Sequence, residues 1–240
     1  KVDALLDEYP GVVYLKRDAT REDDTPVKLK NGFFARMFEL IGAMYALPKY
    51  GTLDLTPFFA PFYMLFFAIC LNDAGYGAIL FALGVALFMK GGKSMRQPAT
   101  LTMICGGATT LFGLYTGSLF GMSIPDMLGY ESIAESPFLD FQNEFFTLAL
   151  ALGVIQILFG MFLNICFKAR YFGITTVFAQ LGWFIVLLSG CLAGGLQMLN
   201  ESWVIPGFTT SSIAFYVAMG VGALLMLPLN DVKRNPVMNV

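Results

Sequence analysis

Beyond residue 56 every lysine and arginine falls into one of three short clusters: Lys90, Lys93 and Arg96; Lys168 and Arg170; Lys233 and Arg234. The stretches between the clusters are long and apolar, and the polar turns inside them carry only acids. A soluble domain spreads its cations over its whole surface. Sorting of this kind instead points to a polytopic helical membrane protein whose orientation is set by charge. Composition agrees, because 57% of residues are hydrophobic and 13% charged, with a mean hydropathy of +0.67, outside the range of soluble domains. Hydrocarbon contains no water to satisfy backbone N–H and C=O groups, so only helices or a closed barrel can cross it. Apolar runs of about 20 residues without period-2 alternation select helices. The predicted fold is all-α.

The apolar segments are 57–89, 99–121, 145–167, 174–199 and 210–229. Four of them suit one crossing of about 30 Å at 1.5 Å per residue. The first is 33 residues, about 50 Å as a single helix. It is divided by Asn72-Asp73-Ala74-Gly75-Tyr76-Gly77, where glycines and an Asx pair interrupt the run. Reading it as a hairpin gives helices at about 57–72 and 74–89, and six membrane helices in three hairpins. Loops 122–144 and 200–209 hold Asp126, Glu131, Glu135, Asp140, Glu144 and Glu201 and no cation, so they face outward, while the cationic turns face the cytoplasm. Residues 1–56 carry eight cations and are expected on the cytoplasmic side, as is the far end of the chain. Within them, 33–47 sets Phe33, Phe34, Met37, Leu40, Ile41, Met44 and Tyr45 at helical spacing, a short amphipathic helix that lies on the membrane surface or docks onto a partner. The chain begins with Lys1 and ends soon after an apolar span, and it reads as a fragment.

Soluble enzyme chemistry has little to work with. There is no histidine, and no acid pair stands near a nucleophile. Gly92-Lys93-Ser94 lacks the leading glycine and preceding strand of a phosphate loop, Leu87 standing where that glycine belongs. Cys70, Cys105, Cys166 and Cys191 lie in apolar segments without ligand spacing, so neither a metal nor a cofactor is expected. No basic tract suggests nucleic acid. Polar side chains within apolar spans carry the functional signal, because a charge there is expensive unless paired or hydrated. Asp73 is the acid of the spans, either capping the start of a helix or lining an ion path. Gln156 and Asn164 flank Gly160 at intervals of four, and Gln180 enters the next span; interhelical hydrogen bonding and an aqueous pathway both account for them. Gly106, Gly113, Gly117 and Gly121 are the expected helix-packing positions, small enough for backbones to approach closely.

The run Leu47-Pro48-Lys49-Tyr50-Gly51-Thr52-Leu53-Asp54-Leu55-Thr56-Pro57, followed by Asn72 to Gly77, resembles the membrane domain of subunit I (subunit a) of V-type rotary ATPases. That family shows Gly-Asp-x-Gly-Tyr-Gly or Gly-Asp-x-Gly-His-Gly at this place. Gly106-Gly107 through Phe112-Gly113-Leu114-Tyr115-Thr116-Gly117-Ser118-Leu119-Phe120-Gly121 is similar to its third membrane helix. Leu55 replaces a usual proline and Asn72 a usual glycine, and Tyr76 in place of histidine indicates the prokaryotic branch.

The resemblance implies a stator subunit of an ion-translocating motor, V-ATPase or ATP synthase, in a bacterial or archaeal cytoplasmic membrane. Its implied partners are the proteolipid (c/K) ring, the peripheral stalk, other subunits of the complex and the lipid bilayer. ATP sites lie on other subunits, so no active site is expected in this chain. The family has eight membrane helices and an essential arginine on the last two, which implies a further arginine-bearing helix beyond Val240. The coupling ion, H+ or Na+, stays open. Two other readings are a secondary transporter or channel, and a membrane assembly scaffold.

Overall fold

The computed structural model describes residues 27–45, 48, 51–130, 137–138, 141–195 and 205–229, with single positions 6, 13 and 17 near the start. The chain divides into two compact units, Lys1–Ala60 and Pro61–Val240.

In the first unit, α1 spans Phe33–Tyr45 and buries Ala35, Met37 and Phe38. A turn through Gly51 leads to Asp54, whose Oδ1 accepts from the Thr56 N–H at 2.9 Å and so starts α2, Thr56–Leu71. Asn31 bridges two acids of this unit, its Nδ2 donating to Glu39 Oε1 at 2.8 Å and to Asp54 Oδ2 at 2.7 Å.

The second unit holds α3 (Ala74–Lys90), α4 (Arg96–Thr116), a minimal antiparallel pair β1 (Ser118–Leu119) and β2 (Met122–Ser123), α5 (Ile124–Met127), α6 (Phe141–Phe172), α7 (Phe178–Gly190) and α8 (Ile213–Leu229). A π-helical turn, Cys191–Gly195, extends α7. Among the described residues, 145–172 and 178–195 are long and apolar enough to cross a membrane, while Thr56–Leu71, Ala74–Lys90 and Ile213–Met226 are shorter apolar helices.

Helix α4 belongs to neither group, and its composition says why. Its 21 residues reach about 31 Å, yet it is rich in threonine and glycine. The hydroxyls of Thr100, Thr102, Thr109 and Thr110 donate to the carbonyls of Arg96, Pro98, Cys105 and Gly106 at 2.8–2.9 Å. Such i−4 bonding leaves no polar demand for water.

Two helix pairs are closely packed and antiparallel. In α3/α4, a Cβ at Gly77 would stand 2.5 Å from Thr110 N, at Gly84 2.8 Å from Met103 N, and at Gly106 2.5 Å from Phe81 N; at Gly113 it would collide with Ala74 N. In α7/α8, a Cβ at Gly182 would stand 2.6 Å from Gly222 O, and one at Gly222 2.6 Å from Val186 Cγ2. Glycine is therefore what lets these backbones touch. Helix α2 joins α3 through the Asn72-Asp73 turn, and the close packing of α3 is with α4, across the Gly91–Met95 connection, where the Arg96 guanidinium lies 5.8 Å from the centre of the Phe88 ring.

Candidate functional site

Among the described residues of the second unit the most connected polar group is Asp73, 4% exposed. It is the N-cap of α3: Oδ1 accepts from Tyr76 N–H at 2.9 Å, satisfying a donor that the first helical turn leaves free. The same oxygen accepts from Phe120 N–H at 3.0 Å, and Oδ2 accepts from Gly121 N–H at 2.7 Å and from Ser118 Oγ at 3.4 Å. One carboxylate thus joins the start of α3 to the turn that follows α4, 47 and 48 residues later.

Local sequence builds this node. Gly117 takes the left-handed C-cap conformation (φ 71°) and its N–H bonds to the carbonyls of Gly113 and Leu114, ending α4. Gly121, at φ 73°, and Phe120, at φ 52°, then turn the chain so that two successive N–H groups point at Asp73. Phe120 is held there by its ring, which lies 5.5 Å from Tyr76 edge-on and roofs Gly75, where a Cβ would meet it at 2.7 Å. Asn72, also left-handed at φ 37°, accepts from Thr116 Oγ1 at 2.6 Å and makes a second tie between the same segments.

The packing glycines separate by role. Gly106 and Gly113, seven residues apart, face α3, with Gly77 and Gly84 answering them at the same interval. Gly117 is a helix terminator, and a Cβ there would press on Pro125 at 2.9 Å. Gly121 lies beyond the helix in a turn with nothing within 4 Å of a would-be Cβ, so its place on a helix-packing face is corrected: positive φ and the bond to Asp73 are what require it.

The remaining candidates do not converge on Asp73. Gln156, Gly160 and Asn164 lie on the exposed face of α6, the amides about 12 Å apart along the axis. Gln180 is in the first turn of α7, half-buried, with a buried Oε1 that has no hydrogen-bond partner among the described residues. Gly182, Gly222 and Gly84 are not among the packing positions read from the sequence, and Gly77 figures there only in the break after α2; the seven-residue interval on α3 is the available signal. Among the described residues no three His, Cys, Asp or Glu side chains are placed to hold a metal ion. The clefts among the described residues include one of about 510 Å³ in the first unit, beside Glu39 and Asp54, and one of about 220 Å³ between α6 and the π-helical turn, lined by apolar residues such as Val154 and Leu188.

No family model matches the chain. Curated relatives do. It is 26% identical over 215 residues to the A-type ATP synthase subunit I of Methanocaldococcus jannaschii, covering 78% of this chain and 31% of that protein. It is 30% identical over 248 residues to the protein of the same name from Pyrococcus abyssi, covering 96% and 34%. It is 33% identical over 101 residues to the V-type ATP synthase subunit I 2 of Treponema pallidum, covering 41% and 22%. The chain therefore spans about a third of the length of the archaeal relatives it matches.

Proposed function

We propose that this chain, which is homologous to the subunit I proteins of A-type and V-type ATP synthases, forms the supporting part of the membrane stator of a rotary ATPase. On this reading residues 57–240 cross the membrane six times beside a proteolipid ring that carries H+ or Na+, and residues 1–56 lie on the cytoplasmic side, toward the peripheral stalk. The observation that carries it is the alignment to subunit I relatives over nearly the whole chain.

The geometry supports a scaffold more than a conductor. Asp73 gives both carboxylate oxygens to donors of its own chain. The threonines of α4 bond to their own helix, and two glycine-packed pairs supply rigid elements. Gln156 and Asn164, exposed on a long apolar helix, are the amides best placed to meet a partner helix or an aqueous path. An amide in hydrocarbon without a partner is unfavourable by several kcal/mol.

The test is affinity isolation of the tagged chain from its native membrane. Recovery with a proteolipid ring and ATPase subunits is expected, and the purified chain alone in liposomes should give no ion flux. Flux from the isolated chain, or recovery free of ATPase subunits, would overturn the reading in favour of a transporter or an unrelated scaffold.

A further inference from the structure

Helix α1 buries Ala35, Met37 and Phe38, while Phe33, Leu40 and Met44 are 71%, 38% and 77% exposed. At 100° per residue these three fall within about 40° of one another, a stripe that borders Met37 and faces away from Ala35 and Phe38. A stripe of this size on a small unit calls for a cover.

Charge identifies the cover. Lys28 and Lys30 are exposed on the segment that enters the helix, and Arg36 is exposed one turn in, with Nη2 donating to Asn31 O at 3.1 Å. Arg36 lies about 60° from the stripe, close enough for its guanidinium to reach past the apolar groups. The acids among the described residues are elsewhere. Glu39 is about 120° from the stripe, and both Glu39 and Asp54 are bound to Asn31 and border the 510 Å³ cleft. The face therefore combines bulky apolar side chains with a cationic margin and is free of carboxylates among the described residues. That combination is complementary to an anionic lipid headgroup layer over acyl chains.

We infer that α1 lies in the interface of an anionic membrane, with Phe33, Leu40 and Met44 among the upper acyl carbons and Lys28 and Lys30 at lipid phosphates. This goes beyond the stator assignment and requires only that the chain sits in a bilayer.

The test places p-benzoylphenylalanine at Met44 of the full chain, in nanodiscs of phosphatidylcholine alone or with 30% phosphatidylglycerol, and analyses photoadducts by mass spectrometry. The same probe at Ile157, 60% exposed on α6, reports whether the chain is in the bilayer at all. Lipid adducts are expected at both positions. The Met44 yield should rise with phosphatidylglycerol and lose that rise in Lys28→Glu/Lys30→Glu, the docking equilibrium falling about five-fold for each lysine removed from the surface. Lipid adducts at Ile157 with none at Met44 would overturn the inference and leave the membrane assignment intact. Cross-links from Met44 to another polypeptide would overturn it in favour of a protein partner, and no lipid adduct at either position would overturn both.

Discussion

Replacing Asp73 tests whether the turn after α4 is held by one carboxylate. In Asp73→Ala, the Phe120 and Gly121 N–H groups lose a charged acceptor, a bond of that kind contributing about 1.5–3 kcal/mol, and α3 loses an N-cap worth about 1 kcal/mol. With partial relaxation the loss should be about 4 kcal/mol. Asparagine discriminates mechanism from mere polarity. It retains Oδ1, which serves Tyr76 and Phe120, but sets an NH2 group against the Gly121 N–H, donor facing donor, so Asp73→Asn should cost about 2 kcal/mol. Ser118→Ala, which removes only a 3.4 Å contact, should cost less than about 0.5 kcal/mol. Reversible unfolding of the full chain by SDS in mixed micelles, followed by helical circular dichroism, gives these differences. An Asp73→Ala loss below about 0.5 kcal/mol, or an asparagine variant less stable than alanine, would refute the lock.

The packing glycines should respond by place rather than by residue type: Gly77→Leu and Gly182→Leu each drive a side chain into a facing backbone and should destabilise by about 3 kcal/mol, whereas Gly160→Leu, with open space around it, should stay within about 0.5 kcal/mol in the same assay. Burial pushes the Asp54 carboxyl up, but hydrogen bonds from the Thr56 backbone and hydroxyl and from Asn31 outweigh it and leave it below its ordinary 3.8. A lowered folded value means stability that is present above the unfolded pKa and lost as pH falls through the folded one. Unfolding measured below about pH 4 should therefore steepen for the native chain and flatten in Asp54→Asn. For sidedness, Lys93→Cys and Tyr130→Cys should react with an impermeant maleimide from opposite faces of sealed vesicles; reaction from one face alone would end the six-crossing topology.

The sequence announced helices far better than partners. Apolar runs and charge clusters located α6 and α7, because membrane length and burial are written into consecutive residues. What they could not announce is which helix packs on which. The interval of four in Gly113, Gly117 and Gly121 suggested one small-residue face, yet Gly117 ends the helix, and the contact face repeats at seven through Gly106 and Gly113. A glycine that packs and a glycine that turns are the same letter, and only the backbone around them separates the two. The capping role of Asp73 was legible from its place before an apolar run. Its bonds to Phe120 and Gly121 were not, since they join segments nearly fifty residues apart through main-chain groups that every residue type carries. The same holds for Asn31, whose amide links Glu39 to an acid 23 residues away.

How each polar group is already engaged bears on what it can do. A residue on an ion path must exchange partners as ions or waters pass, so its resting bonds have to be weak or to solvent. Asp73 fails that requirement, because freeing both oxygens would release the N-cap and the turn together, about 4 kcal/mol by the bonds involved. The threonines of α4 fail it less severely, each giving its proton to a carbonyl of its own helix. Gln156 and Asn164 are under neither constraint, since they lie on an exposed face of α6 with a glycine between them that leaves room for a close neighbour. Among the described residues the physical division is therefore between polar groups already committed to holding backbone together, at Asp73 and along α4, and those that are not, Gln156 and Asn164 on α6 and Gln180 Oε1 on α7. On the proposed function, exchange with a neighbouring subunit or with water therefore falls to α6 before the aspartate that the sequence makes most conspicuous.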